Sequence, residues 1–498
     1  MSPVSTLDST IAIARHAPAQ RRRTKIVATL GPATDDPATL VSLFDAGVDV
    51  VRVNFSHGSA EAQAERIERV RRTASEVGRY IGIIGDLQGP KIRIESFTSG
   101  RTRLEKGASF TLDTAMDPAA GTDLAVGVAY TNLVNDIAVG DMLLLDDGQI
   151  VLQVLEISGT RVDCNVVRGG VLSNRKGLNK QGGGLTADAL TEKDRRDIEM
   201  AARLELDFVA VSFVRNADDV NEARRLLTDA GGEGHIIAKI ERAEAVENID
   251  AIITASNAIM VARGDLAVEV GYAAMTGLQK GLIRTARSRN KVSITATQML
   301  ESMISSAAPT RAEVSDVANA VMDGTDAVML SAETAVGQYP VDAVRTMAQV
   351  CVGAEKHELT QSRTLFREAD RFEHVDQAIA MAVMFTASHL SVKAIIALTE
   401  SGSTALWMSR RRTDIPIYAL TRHEGSRRRV TLYRSVYPVS FDVVQVEQDQ
   451  IWRAAMKLLC AKGELAPGDL VLYTLGQQQG VAGATNTMQI LTVPYDDA

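Results

Sequence analysis

The sequence predicts an α/β protein: a (β/α)8 TIM barrel interrupted by an inserted all-β domain and followed by a smaller C-terminal α/β domain. Three observations carry this. Short apolar runs alternate with longer amphipathic runs eight times. One connection between those units is far too long for a loop. The pattern changes again beyond Ala354. At 498 residues the chain has room for several domains.

The apolar runs are Thr24–Leu30, Asp49–Phe55, Tyr80–Asp86, Asp207–Phe213, His235–Ile240, Ile259–Arg263, Lys291–Ala296 and Thr325–Leu330. They are rich in Val, Ile and Ala, which suits strands. Helical patterns follow most of them, among them Pro37–Ala46, Ala60–Glu76, Ala217–Ala230 and Thr310–Met322. Apolar strands alternating with helices imply a parallel sheet covered on both faces. Eight such units suit a closed barrel. An open doubly wound sheet has the same periodicity, which does not by itself close a barrel.

The long connection follows the third strand, from Gly89 to Thr186. Its segments Arg101–Leu104, Ser109–Leu112, Asp141–Leu145, Ile150–Ile157 and Arg161–Val167 read as short antiparallel strands with Gly and Asp turns. Beyond Ala354, the charged stretch Thr360–His374 reads as a linker or a boundary helix. Then come a helix (Val375–Leu390), a strand (Ala394–Leu398), a helix (Thr404–Arg411) and strands at Ile417–Leu420, Leu470–Thr474 and Met488–Val493. The expected boundaries are 1–23 for an N-terminal arm, 24–88 and 186–354 for the barrel, 89–185 for the insert and 355–498 for the last domain. No repeat is visible, and Gln477–Gln479 is too short a tract to signal aggregation.

Composition excludes several function classes. Hydrophobic residues are 45% and charged residues 23%, as in globular soluble proteins. The net charge of −8 gives no global attraction to nucleic acid or acidic membranes, and aromatics at 4% leave few platforms for stacked bases. No apolar stretch approaches a bilayer span. At the start, the basic run Arg21–Arg23 follows the short apolar piece Ile11–Ala14, the reverse of a secretory signal. Cys164, Cys351 and Cys460 are far apart, with no CxxC pair, so neither a disulfide framework nor a zinc site is expected.

Functional residues of a barrel gather at the C-terminal ends of its strands. There the sequence places Arg52, Asn54, Ser56 and His57; Asp86, then Lys91 and Arg93; Ser212; Lys239 and Glu241; Arg263-Gly264-Asp265; Thr295 and Thr297; and Ser331 and Glu333. Glu241 and Asp265 end adjacent strands and can hold one Mg²⁺ or Mn²⁺ through hard oxygen ligands, although ordinary salt bridges would place carboxylates there too. Lys239 and Glu241 are two apart, hence on one side of a strand. A metal beside a lysine suits neutralising phosphoryl or enolate oxygens. Arg52, Arg93 and Lys176 add positive charge. No Walker A or G-x-G-x-x-G sequence occurs, so any nucleotide is bound by basic side chains and metal. In the last domain Thr399, Glu400, Ser401, Gly402, Ser403 and Thr404 join a strand to a helix start, a ready phosphate site, though simple N-capping accounts for the same loop.

These residues lie in stretches that resemble the pyruvate kinase family. They are Thr24-Lys-Ile-Val-Ala-Thr-Leu-Gly-Pro32, Arg52-Val-Asn-Phe-Ser-His-Gly58, Ala238-Lys-Ile-Glu-Arg242, Met260-Val-Ala-Arg-Gly-Asp-Leu266, Ala296-Thr-Gln-Met-Leu-Glu-Ser-Met303 and Pro309-Thr-Arg-Ala-Glu-Val-Ser-Asp-Val-Ala-Asn-Ala320. The resemblance runs from Thr24 to the C-terminus. It implies that the insert is a lid, that the last domain is regulatory, and that the enzyme is a cytoplasmic homotetramer. It also implies phosphoryl transfer between phosphoenolpyruvate and ADP, giving pyruvate and ATP, with Mg²⁺ or Mn²⁺ on Glu241 and Asp265. Lys239 would steady the phosphoryl group and enolate, and Thr297 would help relay the enolate's proton. Ala262, Arg263 and Gly264 would meet substrate through backbone. Arg52 and Arg93 would bind phosphates, with Asn54, His57 and Lys176 toward the nucleotide. Ser212 and Phe213 would line the pocket.

One departure concerns monovalent cations. Members of the family that bind one near the equivalents of Asn54, Ser56 and Asp86 commonly carry glutamate where this chain has Lys91. The run Gly85-Asp-Leu-Gln-Gly-Pro-Lys91 resembles the bacterial, potassium-independent branch, with the Lys91 ammonium supplying the local charge. The resemblance also implies an effector site at Thr399–Thr404 beside Gln477–Thr485. A sugar monophosphate or AMP is expected there ahead of fructose 1,6-bisphosphate. Two rivals share some of these residues: a magnesium-dependent C–C lyase on the same kind of barrel, and an inactive metabolite sensor.

Overall fold

In the computed structural model the described residues are 21–361, 372–476 and 483–495. Gln477–Gln479, most of the linker and most of the N-terminal arm lie outside them. The eight expected strands close a parallel barrel: β1 (Lys25–Thr29), β2 (Val50–Asn54), β3 (Gly82–Asp86), β4 (Phe208–Val211), β5 (His235–Ile240), β6 (Ala258–Ala262), β7 (Val292–Ala296) and β8 (Ala327–Leu330). Pairing runs in sequence order around the ring, and β1 meets β8 through Lys25 opposite Ala327. These strands are almost wholly buried, which is why their sequences lack polar alternation. Covering helices begin at side-chain caps: Asp36 before Pro37–Ala46, Ser59 before Ala60–Glu76, and capping boxes at Thr191 and Thr310.

The insert forms a six-stranded sheet and a two-stranded ribbon around its own core, which includes Phe110, Leu143 and Leu152. Three of its strands escape the sequence pattern: Ala125–Gly127, Gly170–Ser173 and Leu178–Lys180. They are three or four residues long, too short for alternation to register. The sheet is also not purely antiparallel, since Ala125–Gly127 pairs parallel to Ser109–Asp113.

The last domain holds a five-stranded sheet ordered 436–440, 417–421, 394–398, 470–476, 485–492, parallel except for the final pair. Here the expected helix Thr404–Arg411 is Ser403–Ser409, and strand Val436–Ser440 with helices Glu424–Val430 and Ile451–Ala461 are additional. This domain docks under the N-terminal end of the barrel. Arg410 pairs with buried Asp326, Arg428 Nε lies 2.8 Å from Asp207 Oδ1, and Lys25 Nζ donates to the Val436 carbonyl at 2.6 Å. The three cysteines are unbridged. Among the described residues no helix is long and apolar enough to cross a membrane.

Candidate active site

Polar side chains converge at the C-terminal mouth of the barrel, at the end remote from the docked domain. Lys239, near the end of β5, is their hub. Its ammonium reaches Ser212 Oγ at 2.6 Å, Glu241 Oε1 at 3.0 Å and Asp86 Oδ1 at 3.2 Å. Burial opposes its charge, but Asp86 and Glu241 overcome that and hold its pKa above the ordinary lysine value. The second Asp86 oxygen accepts from the Arg52 guanidinium, which also donates to Thr29 Oγ1 at 3.1 Å. Burial pushes the pKa of Asp86 up, yet Arg52 and Lys239 outweigh it and the net direction is down. Asp86 therefore stays ionised.

Glu241 is 2% exposed. Its Oε2 accepts the Phe213 backbone N–H at 2.8 Å. Burial pushes its pKa up, Lys239 pulls back, and the charge of nearby Asp265 pushes it up further. Each Glu241 oxygen thus has one protein donor and a remaining lone pair, beside a second carboxylate whose repulsion a cation would relieve. Among the described residues no group of three or more His, Cys, Asp or Glu could enclose a metal. Two carboxylates with open positions fit Mg²⁺, which keeps several oxygen ligands from water and substrate.

Asp265 lies in the first turn of helix Arg263–Val270, which starts directly from β6. The Gly264 N–H donates to Thr297 Oγ1 at 2.9 Å. Thr297 and Gln298 are left-handed (φ 67° and 54°), as is Phe213 (φ 55°). Each costs about 1–2 kcal/mol in a non-glycine residue, and such strain clusters at functional sites. The Arg263 side chain holds the Thr297 turn from behind. It donates to the Ala296, Thr297 and Gln298 carbonyls and is bidentate to Asp316 at 2.6 and 2.8 Å. The Arg263 side chain is thereby fully engaged, and Asp316 is a supporting residue the sequence did not single out. Ser331 and Glu333 are joined by a backbone N–H to carboxylate bond of 2.6 Å. Thr295, by contrast, is taken up by Thr325 at 3.0 Å.

The remaining expected residues sit around this centre. Asn54 Oδ1 accepts the Ser56 N–H at 3.1 Å, and His57 is exposed on the same loop. Arg93 makes an isolated bridge to Gly177, the residue after Lys176, and both side chains are held by the insert's own groups. Arg93 donates to the Arg175 carbonyl at 3.0 Å, and Lys176 pairs with Asp146 at 2.8 Å. Lys91 corrects an expectation. Its ammonium is 3.1 Å from Asp265 Oδ1 and 3.9 Å from Asp147, and forms no ion pair with Asp86. The charge of Asp86 is already met by Arg52 and Lys239, so the stronger unmatched field at the mouth is that of Asp265.

In the C-terminal domain the Gly402 N–H donates to Thr399 Oγ1 at 2.9 Å, and Thr404 Oγ1 meets Thr485 Oγ1 at 2.8 Å. Ser401 Oγ accepts the Ser403 N–H at 3.4 Å. Gly402 is left-handed (φ 91°), and a Cβ there would lie 2.7 Å from Val430 Cγ1. The Glu400 carboxylate turns aside to Arg422 and His423. Of the expected neighbouring loop Gln477–Thr485, residues 477–482 lie outside the described residues.

Comparison with known proteins agrees with this arrangement. The family model for the pyruvate kinase barrel domain matches residues 21–344, and that for the pyruvate kinase alpha/beta domain matches 377–491. The chain is 52% identical over 479 residues to pyruvate kinase II of Salmonella typhimurium, covering 95% of this chain and 99% of that one. It is 50% identical over 471 residues to a pyruvate kinase of Haemophilus influenzae, covering 94% and 97%. A crystal structure of a pyruvate kinase from Cryptosporidium parvum superimposes with a TM-score of 0.87 at 33% identity, covering 95% and 96%. With a matching barrel, insert and C-terminal sheet, and near-complete mutual coverage, the chain belongs to the pyruvate kinase family and is a phosphotransferase.

Proposed function

We propose that the barrel mouth transfers the phosphoryl group of phosphoenolpyruvate to ADP, giving pyruvate and ATP. The carrying observation is Lys239, a buried ammonium whose pKa is raised between Asp86 and Glu241. A cation fixed there is preorganised to meet negative charge on a phosphoryl group and then on an enolate, and needs no reorganisation during reaction. Glu241 and Asp265 hold Mg²⁺ or Mn²⁺, which supplies further charge neutralisation to those oxygens. Arg52 binds the phosphate. The backbone of Ala262, Arg263, Gly264 and Asp265 receives the carboxylate at a helix start. Ser212 holds Lys239, and Thr297, whose hydroxyl donates to the Ala296 carbonyl at 2.7 Å, stands where a proton can be relayed to the methylene carbon. Asn54, His57, Arg93 and Lys176 face the nucleotide.

Activity without K⁺ is part of this reading, on a changed footing. Arg52 and Lys239 already neutralise Asp86, and Lys91 adds a cation at Asp265, so the mouth carries fixed positive charge where a monovalent ion would serve. We further propose the boundaries 24–88 with 186–354, 89–185 and 355–498, a cytoplasmic homotetramer on family membership, and an effector site at Thr399–Thr404. Its hydroxyls and the N–H groups of a helix start suit a phosphorylated metabolite, a sugar monophosphate or AMP ahead of fructose 1,6-bisphosphate.

The test is coupled pyruvate formation from phosphoenolpyruvate, ADP and Mg²⁺ in Na⁺ or tetramethylammonium buffer, with and without K⁺. Full activity without K⁺ is expected. Activity only with K⁺ would retain the kinase and discard the Lys91 argument, and none in either buffer would discard both.

A further inference from the structure

The segment that leaves the barrel for the insert touches one metal-ligand carboxylate and the residue that holds the other. Lys91 reaches Asp265 directly at 3.1 Å. Two residues earlier, Gly89 (φ 65°) lies against Ser212 and Phe213: a Cβ there would be 2.7 Å from Ser212 Cβ and 2.9 Å from Phe213 Cδ2. The Gly89 N–H is itself anchored, donating at 3.1 Å to Asp194 Oδ1, which belongs to the capping box of helix Glu192–Arg203. The exit segment is therefore pinned on one side and lies against an aromatic ring on the other.

Phe213 holds a backbone conformation that a phenylalanine rarely adopts unless its surroundings impose it. In that conformation its N–H meets Glu241 Oε2 at 2.8 Å. Phe213 is 8% exposed and lines a small cleft together with Pro90, Lys91, Leu178, Arg242 and Glu269. The contact sequence is thus Gly89, then the Phe213 ring, then the Phe213 N–H, then the Glu241 carboxylate.

We propose that Phe213 is a positioning residue for Glu241, and that the exit hinge Gly89–Lys91 thereby couples the seating of the insert to divalent-metal affinity. This rests on the reading of Glu241 and Asp265 as metal ligands. The ring, clamped under Gly89, keeps the backbone left-handed; the left-handed backbone keeps the N–H on Glu241; and the carboxylate is held with a lone pair free for metal. Removing the ring frees the backbone to relax and lets the carboxylate swing toward Lys239 alone.

Mn²⁺ binding to the full chain without substrates tests this, read from the free Mn²⁺ signal in electron paramagnetic resonance. Phe213→Ala keeps the N–H and the Cβ that makes the left-handed backbone unfavourable, and loses the clamp. It is expected to weaken Mn²⁺ binding by about ten-fold, within the range for groups that orient ligands. Phe213→Leu, which still fills the space under Gly89, is expected to stay within about two-fold of the parent. A folded Phe213→Ala protein that binds Mn²⁺ as the parent does would overturn the proposal. Glu241→Gln separates the premises. If it abolishes binding while Phe213→Ala does not, the positioning role alone fails; if it too binds normally, the metal site itself fails. Should Phe213→Ala not fold, amide hydrogen exchange on the parent decides. Added Mg²⁺ is expected to slow exchange at Gly89, Lys91 and Phe213, and unchanged exchange there would sink the coupling.

Discussion

Asp86 Oδ1 lies 3.2 Å from the Lys239 ammonium, while the other oxygen of Asp86 takes the Arg52 guanidinium. A single buried carboxylate thus fixes two cations from different strands, Arg52 on β2 and Lys239 at the centre of the mouth. Arg52 and Lys239 hold Asp86 ionised, and Asp86 with Glu241 in turn holds Lys239 charged.

Asp86→Asn keeps the shape of that unit and removes its charge, leaving Arg52 and Lys239 to repel each other in a buried site. We expect kcat/KM to fall by about 10²-fold, the scale of losing one preorganised electrostatic element. Stability should drop by roughly 3 kcal/mol, as when a buried pair loses one partner. Steady-state kinetics and denaturant unfolding check both. A variant with parental kcat/KM would mean that other groups hold the two cations.

The barrel was legible because a parallel strand buried on both faces must be apolar almost throughout, and β1 to β8 are. What escaped was short or atypical. Val436–Ser440 carries Pro438, which argues against a central strand, and it lies at the sheet edge where proline is tolerated. Helix Glu424–Val430 holds Arg427, Arg428 and Arg429 and shows no apolar stripe, because Arg428 spends its charge on Asp207 across the domain boundary. At the site, motif residues such as Lys239, Glu241 and Asp265 could be read from strand ends. The left-handed backbone of Phe213 and the pairing of Lys91 with Asp265 could not, since both depend on how the insert folds back over the barrel.

The Arg410–Asp326 pair joins the C-terminal domain to the start of β8, and both side chains are almost fully buried. Asp326 also accepts the Ser293 N–H at 2.9 Å and the Arg434 N–H at 3.3 Å. Asp326→Asn leaves a buried guanidinium without its counter-charge and should cost roughly 3–5 kcal/mol. The double variant Arg410→Met with Asp326→Leu should recover only part of that, since no charge is then unpaired but the Ser293 and Arg434 N–H groups lose their acceptor. Calorimetry checks this. The single variant should unfold in an earlier first transition, and equal transitions in the parent and the single variant would show that the pair contributes nothing to docking.

Glu269 links the insert to the barrel. It accepts the Ala243 N–H at 2.9 Å and the Asn179 side-chain amide at 3.3 Å, and its carbonyl takes the Gly182 N–H. Burial raises its pKa to about 7; the Ala243 N–H and Arg242 pull down and Glu244 pushes up. A carboxylate whose folded pKa is raised contributes stability that is complete below the ordinary value near 4.5 and lost as pH rises through about 7. That interval corresponds to at most roughly 3 kcal/mol. The melting midpoint of the parent should therefore decline between about pH 5 and about pH 8 relative to Glu269→Gln, which cannot ionise. Parallel curves for the two proteins would refute the role of Glu269.

Lys91 stands 3.1 Å from Asp265 and 3.9 Å from Asp147, so it is the fixed cation paired with Asp265. Lys91→Glu replaces that charge with a third carboxylate beside Glu241 and Asp265. The mouth then carries excess negative charge that repels phosphoenolpyruvate and ADP, and the deficit can be met by a mobile cation. The variant should lose activity by at least about ten-fold in tetramethylammonium buffer, the scale of about 1.4 kcal/mol in the barrier, and regain part of it when K⁺ is added, while the parent is indifferent to K⁺. Lys91→Met, which removes the charge without reversing it, should fall between the two and respond less to K⁺. Equal K⁺ response in parent and Lys91→Glu would show that Lys91 has no part in monovalent-cation independence, and would return that property to the Asp86, Arg52 and Lys239 unit alone.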